Sequence, residues 1–104
     1  MRLIQALSPL LLIAAIQSAE AADIRQGAAI ARQWCVGCHA VENQANVSDL
    51  TPSFRSIARR RAGQASHLKM YLVRPHAPMP PFSLSNREID DVVAYILSIP
   101  VTDE

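Results

Sequence analysis

With its leader set aside, this chain has too little sequence to close a core around side chains alone. Arg2 is followed by an apolar stretch in which Leu10 to Ile16 is unbroken, and Ala19-Glu20-Ala21 then supplies a small-x-small cleavage pattern. A basic start, a short apolar run and a small-residue site read as a secretory signal peptide over residues 1–21. A retained membrane anchor is the competing reading, but the run falls short of the ~20 apolar residues a spanning helix needs. Residues 22–104 then form one small exported domain, expected in the periplasm. Such domains usually recruit a disulfide, metal or cofactor to make up for missing core. The domain's aromatic residues are Trp34, Phe54, Tyr71, Phe82 and Tyr95. That is thin filling, and it implies that something other than side chains occupies the centre.

Strands are poorly supported, because β-branched runs are short. Helical periodicity is clearer. Ile24, Gly27, Ala28, Ala31 and Trp34 share one face of a helix expected from about Ile24 to Cys35, with Asp23 as N-cap. A short helix is expected to start at Thr51-Pro52, Thr capping and Pro in first position, with Phe54, Ile57 and Ala58 facing inward. A third runs from about Ser66 to Arg74 on a stripe of Leu68, Tyr71 and Leu72, and Pro75 ends it. The last is the best specified. Ser85 and Glu88 form a capping box, Leu84 and Ile89 occupy the staple positions, and Pro100 stops the helix. Its buried stripe is Ile89, Val92, Val93, Ile96 and Leu97, with Asp90 and Asp91 expected off it. Between the third and fourth helices, Pro75, Pro78, Pro80 and Pro81 stiffen a segment that also holds His76 and Met79. The fold class is therefore all-α, about four short helices.

The chain's two cysteines fall in Cys35-Val36-Gly37-Cys38-His39, the C-x-x-C-H pattern of covalent haem attachment. Two thiols at this separation add across the vinyl groups of one porphyrin edge, and the following imidazole lies under the ring, within reach of iron. Three other readings exist. A thioredoxin-like redox pair needs a βαβ context that the pattern does not support. Half of a zinc site lacks a second cysteine pair, with only His67 and His76 remaining. A structural disulfide would close so short a loop that it stabilises little.

With these residues in hand, the chain resembles a class I c-type cytochrome, a small monohaem protein of the bacterial periplasm, over essentially all of residues 22–104. Residues 27–40 are similar to the N-terminal helix and haem-binding segment. Pro52 with Phe54 and Ile57 resembles the proline-led segment after it. Pro78-Met79-Pro80 followed by Phe82-Ser83-Leu84-Ser85 resembles the methionine loop, and residues 91–97 the C-terminal helix with its tyrosine. The resemblance implies one haem c held through Cys35 and Cys38, with His39 as proximal and Met79 as distal iron ligand. It also implies that the Pro52 carbonyl accepts the other imidazole N–H, and that the first and last helices cross at Gly27 against Tyr95. The segment between Cys38 and the methionine loop is shorter than in longer members. Arg59-Arg60-Arg61 adds charge there, suited to a haem propionate or simply to solvent.

Met70, His67 and His76 compete with Met79 for the distal position, His76 most seriously; the proline clamp and the resemblance favour Met79. Trp34 is expected to pack against the haem edge or to fill the helix interface, and Tyr71 either to hydrogen-bond a haem propionate or to place its ring in the core with its hydroxyl in water. The expected function is one-electron, outer-sphere transfer by a non-enzymatic carrier, a monomer docking weakly on redox proteins such as a dehydrogenase, an oxidase or another cytochrome. Alternatives are a haem subunit dedicated to one dehydrogenase or oxidase, a gas- or peroxide-reactive haem protein with a displaceable distal ligand, and a haem-free thiol–disulfide protein. The net charge of +1, unchanged when Arg2 and Glu20 leave with the leader, gives no case for nucleic acid or for an anionic membrane surface. Membrane attachment would follow only from a retained leader.

Overall fold

A computed structural model describes residues 21–45, 50–74 and 78–101; the leader through residue 20 and His76 lie outside the described residues. Four helices follow in order: α1 (Ile24–Trp34), α2 (Phe54–Arg60), α3 (Ala65–Val73) and α4 (Asn86–Ser98). There is no β-strand among the described residues, so the protein is all-α. None of their helices is long and apolar enough to cross a membrane.

Every helix–helix contact among the described residues involves α4. Its start is fixed as the sequence predicts. Ser85 Oγ accepts from the Glu88 N–H at 3.1 Å and Glu88 Oε1 from the Ser85 N–H at 2.9 Å. Ile89, Val92, Val93 and Ile96 are buried, while Leu84 and Leu97 pack against the same cluster half-buried.

Asp91 departs from expectation. It is only 2% exposed, although it lies about 200° around the helix from Ile89. The reason is that α4 is covered on two sides. Its apolar stripe meets the core, and its Asp91–Tyr95 flank meets α1. A Cβ on Gly27 would run into the Asp91 carbonyl and come within 2.9 Å of Tyr95 Cβ. The backbones approach so closely that only glycine fits, which explains a residue costing ~1 kcal/mol inside a helix. Asp91 Oδ1 accepts from the Asp23 N–H at 2.7 Å, and Asp23 Oδ1 accepts from the Gln26 N–H at 3.1 Å. The capping residue of α1 is thus itself fastened to α4.

The crossing also corrects the expected face of α1. Gly27, Ala28, Ile30 and Ala31 are buried. Ile24 and Trp34, at the two ends and beyond the crossing, stand about half exposed. In α3, Leu68 is buried and Leu72 half-buried, but Tyr71 faces solvent. Lys69 pairs with Asp90 of α4 at 2.9 Å. Gly63, at φ +72°, supplies the left-handed turn between α2 and α3.

The Gly27→Ala variant should lose stability at or above the roughly 1–3 kcal/mol of ordinary overpacking, because the opposing atoms are backbone. Denaturant unfolding measures it, with Ala29→Ser on the exposed face of α1 as a near-neutral control.

Candidate functional site

The C-x-x-C-H residues continue α1 as a wound turn. The Cys35 N–H donates to the Ala31 carbonyl at 2.9 Å, and the Cys35 carbonyl accepts from the N–H groups of Cys38 at 3.2 Å and His39 at 2.9 Å. One turn therefore carries both thiols and the imidazole. Cys35 is buried and Cys38 exposed, both as free thiols. Burial raises the pKa of the Cys35 thiol. Among the described residues, no three His, Cys, Asp or Glu side chains converge as a metal-ion site would require.

His39 is held from two sides. Its Nδ1 lies 2.7 Å from the Pro52 carbonyl, and its ring centroid lies 5.4 Å from that of Phe54. A carbonyl only accepts, so Nδ1 carries the proton and Nε2 keeps its lone pair. An imidazole tethered in this way is oriented and made a better metal donor.

That tether depends on where α2 begins. The sequence places Thr51 as cap and Pro52 as first residue, but the cap is Ser53, whose Oγ accepts from the Ser56 N–H at 3.0 Å. Had the helix begun at Pro52, the Pro52 carbonyl would have been the natural acceptor for Ser56. The shifted cap takes that N–H and leaves the carbonyl to the imidazole. A further bond, Phe54 N–H to the Ala40 carbonyl at 2.8 Å, ties the start of α2 to the end of the motif. Phe54, Ser56 and Ala58 are buried, and Ile57 is half-buried rather than fully inside.

The apolar surroundings form a connected wall. Trp34, adjacent to Cys35, packs on Phe82 with ring centroids 6.0 Å apart. Phe82 lines a narrow pocket with Met79, Tyr71, Leu72 and Leu84. Met79 is half-buried there, whereas Met70 is 55% exposed and His67 faces solvent, its ring tilted against Tyr71 with centroids 5.2 Å apart. On the far side of Phe54, Tyr95 lies 6.3 Å away between ring centroids. The Tyr95 hydroxyl donates to the Val41 carbonyl at 2.5 Å, and burial raises its pKa. A flat apolar cofactor with a metal at its centre suits this set: two thiols on one turn, an imidazole nitrogen with a free lone pair, and an aromatic wall beside them. Sequence reasoning missed Ser53 and the burial of Asp91. The serine three residues before Ser56 was a visible cap signal, but Asp91 left none in the helical pattern.

Helical class, motif and tethered imidazole together define a c-type cytochrome. The family model described as "Cytochrome C oxidase, cbb3-type, subunit III" matches residues 22–96. The chain is also 47% identical over 83 residues to cytochrome c-552 of Bradyrhizobium diazoefficiens, covering 79% of this chain and 80% of that protein. No solved structure matches significantly. The chain belongs to this cytochrome c family, and with it to the haem c electron carriers rather than to enzymes. Redox proteins are accordingly its partners.

Ser53→Ala should cost about 1 kcal/mol of stability as a lost N-cap. It also frees the Ser56 N–H to compete for the Pro52 carbonyl, so the His39 Nδ1 proton should exchange faster with solvent. Denaturant unfolding and nitrogen NMR of the imidazole check the two effects.

Proposed function

We infer that residues 1–21 are removed on export and that residues 22–104 work in the periplasm as a monomeric single-electron carrier. In this reading one haem c is linked through Cys35 and Cys38, with His39 and Met79 as iron ligands. The observation that carries the reading is the 2.7 Å approach of His39 Nδ1 to the Pro52 carbonyl, since it leaves Nε2 as the ring's donor atom.

Bound haem supplies a one-electron couple whose potential depends on axial ligands, burial and nearby hydrogen bonds. The chain's own residues set those terms. Pro52 fixes the tautomer and orientation of His39. Trp34 and Phe82 pack together as an aromatic wall next to Cys35. Met79 is favoured over Met70 and His67 because it is half-buried among Tyr71, Pro80, Pro81 and Phe82. Thioether ligation favours the reduced state, and two protein ligands leave no open position for oxygen or substrate. Docking on redox partners is weak and brief, at the small end of interface sizes.

A second reading, a haem subunit held permanently by one oxidase, draws on the description of the matching family. Co-purification with oxidase subunits from native membranes would favour it over a free carrier.

The oxidised protein should show a weak far-red sulfur-to-iron absorption band. Met79→Ala should abolish the band and His76→Ala should leave it; absence of the band from the wild-type protein would exclude a methionine ligand and point to His76. N-terminal sequencing of exported protein should begin at Ala22.

Haem should also be required for folding. Haem-free protein is expected to show no cooperative thermal transition near that of the haem-loaded form, as calorimetry of both would reveal.

A further inference from the structure

The three residues after His39 are each tied to a different helix. The Ala40 carbonyl accepts from the Phe54 N–H, at the start of α2, at 2.8 Å. The Val41 carbonyl accepts from the Tyr95 hydroxyl of α4 at 2.5 Å. Glu42 pairs with Arg32 of α1 at 3.5 Å. Residues 40–42 thus form a strap that α1, α2 and α4 all hold. His39 itself is bonded through both backbone and ring. Its N–H donates to the Cys35 carbonyl at 2.9 Å, and its Nδ1 donates to the Pro52 carbonyl at 2.7 Å. The ring keeps that second bond only while the backbone after it holds still relative to Pro52.

The three ties are unequal. Both side chains of the Arg32–Glu42 pair are more than half exposed, and such pairs contribute little. The Ala40 bond reaches only the first residue of α2. Tyr95 acts on both sides of the His39–Pro52 bond at once. Its hydroxyl holds the strap at Val41, and its ring lies 6.3 Å from that of Phe54, which in turn lies 5.4 Å from the His39 ring. The helix crossing does not account for the hydroxyl. Gly27 faces the Asp91 carbonyl and Tyr95 Cβ, and phenylalanine would serve there equally well. The hydroxyl reaches beyond the crossing to Val41, a residue only 4% exposed. Removing a donor from a carbonyl that water reaches poorly is the case in which a lost hydrogen bond costs most.

We propose that the Tyr95 hydroxyl is a positioning group for His39: by holding the 40–42 strap against α4, it keeps the imidazole on the Pro52 carbonyl. This rests on the reading of His39 as iron ligand and adds a residue of the last helix to those that set the potential. An imidazole whose N–H is firmly accepted is the more basic ligand. It favours the oxidised state, so a loosened strap lets the potential rise.

The test compares haem-loaded Tyr95→Phe with Ser85→Ala, which removes the N-cap at the other end of α4 and costs stability without touching the strap. In reduced protein, NMR follows exchange of the His39 Nδ1 proton with solvent, and a spectroelectrochemical titration gives the midpoint potential. Tyr95→Phe should exchange about threefold or more faster than Ser85→Ala, as loss of one hydrogen bond predicts. Its potential should rise above that of wild type, while Ser85→Ala keeps the wild-type value. Arg32→Gln, which cuts only the exposed tie, should leave exchange at the wild-type rate. Exchange no faster in Tyr95→Phe than in Ser85→Ala would mean a purely structural hydroxyl and overturn the proposal. So would an unchanged or lowered potential in Tyr95→Phe, or an equal rise in exchange in Arg32→Gln. Protein that binds no haem would refute the electron-carrier reading and this inference with it, whereas haem-loaded Tyr95→Phe with unchanged readouts overturns this inference alone.

Discussion

A missing side chain organises this fold. Gly27 lets α1 lie against the backbone of α4, and α4 is the helix on which α2 and α3 also pack. A bundle this small cannot spread its burial over many interfaces. It concentrates burial on one helix, whose inner stripe faces the core while its outer flank is sealed by α1. The buried carboxylate of Asp91 belongs to the same arrangement. It accepts the N–H of the residue that caps α1, so the crossing point and the helix start are fixed together.

That crossing aims α1, and α1 ends in the turn that carries Cys35, Cys38 and His39. From there the geometry is set by small substitutions of one hydrogen-bond partner for another. Ser53 takes the Ser56 N–H, the Pro52 carbonyl is left to His39, and the imidazole presents its other nitrogen. The orientation of His39 is thus decided by the register of a seven-residue helix.

Much of this was legible in the sequence, for identifiable reasons. The capping box at Ser85 and Glu88 is a local device, and local devices can be read from spacing alone. The C-x-x-C-H turn is local too. The contact of Pro52 with His39 was legible only through family resemblance, since nothing in the residues themselves selects that carbonyl. The first residue of α2 came out differently because two cap signals, Thr51 followed by proline and Ser53, overlap, and proline at first position is a weaker constraint than a serine bonded to its third neighbour. Asp91 was illegible because helical periodicity assigns one buried face, whereas α4 has two. Ile24 and Trp34 have the right phase on α1 but stand about half exposed at its two ends, and phase says nothing about how far along a helix its neighbour covers it.

The clasp between Asp23 and Asp91 joins residues 68 positions apart, and Tyr95 reaches back 54 positions to Val41. Contacts so distant in sequence close late. As the chain is threaded out from its amino end, α1 and the Cys35 thiol emerge first, while the helix α1 packs on emerges last. Until then the Cys35 thiol, buried in the folded bundle, remains open to any machinery that modifies it. The topology thereby builds in an interval for covalent chemistry before the bundle shuts.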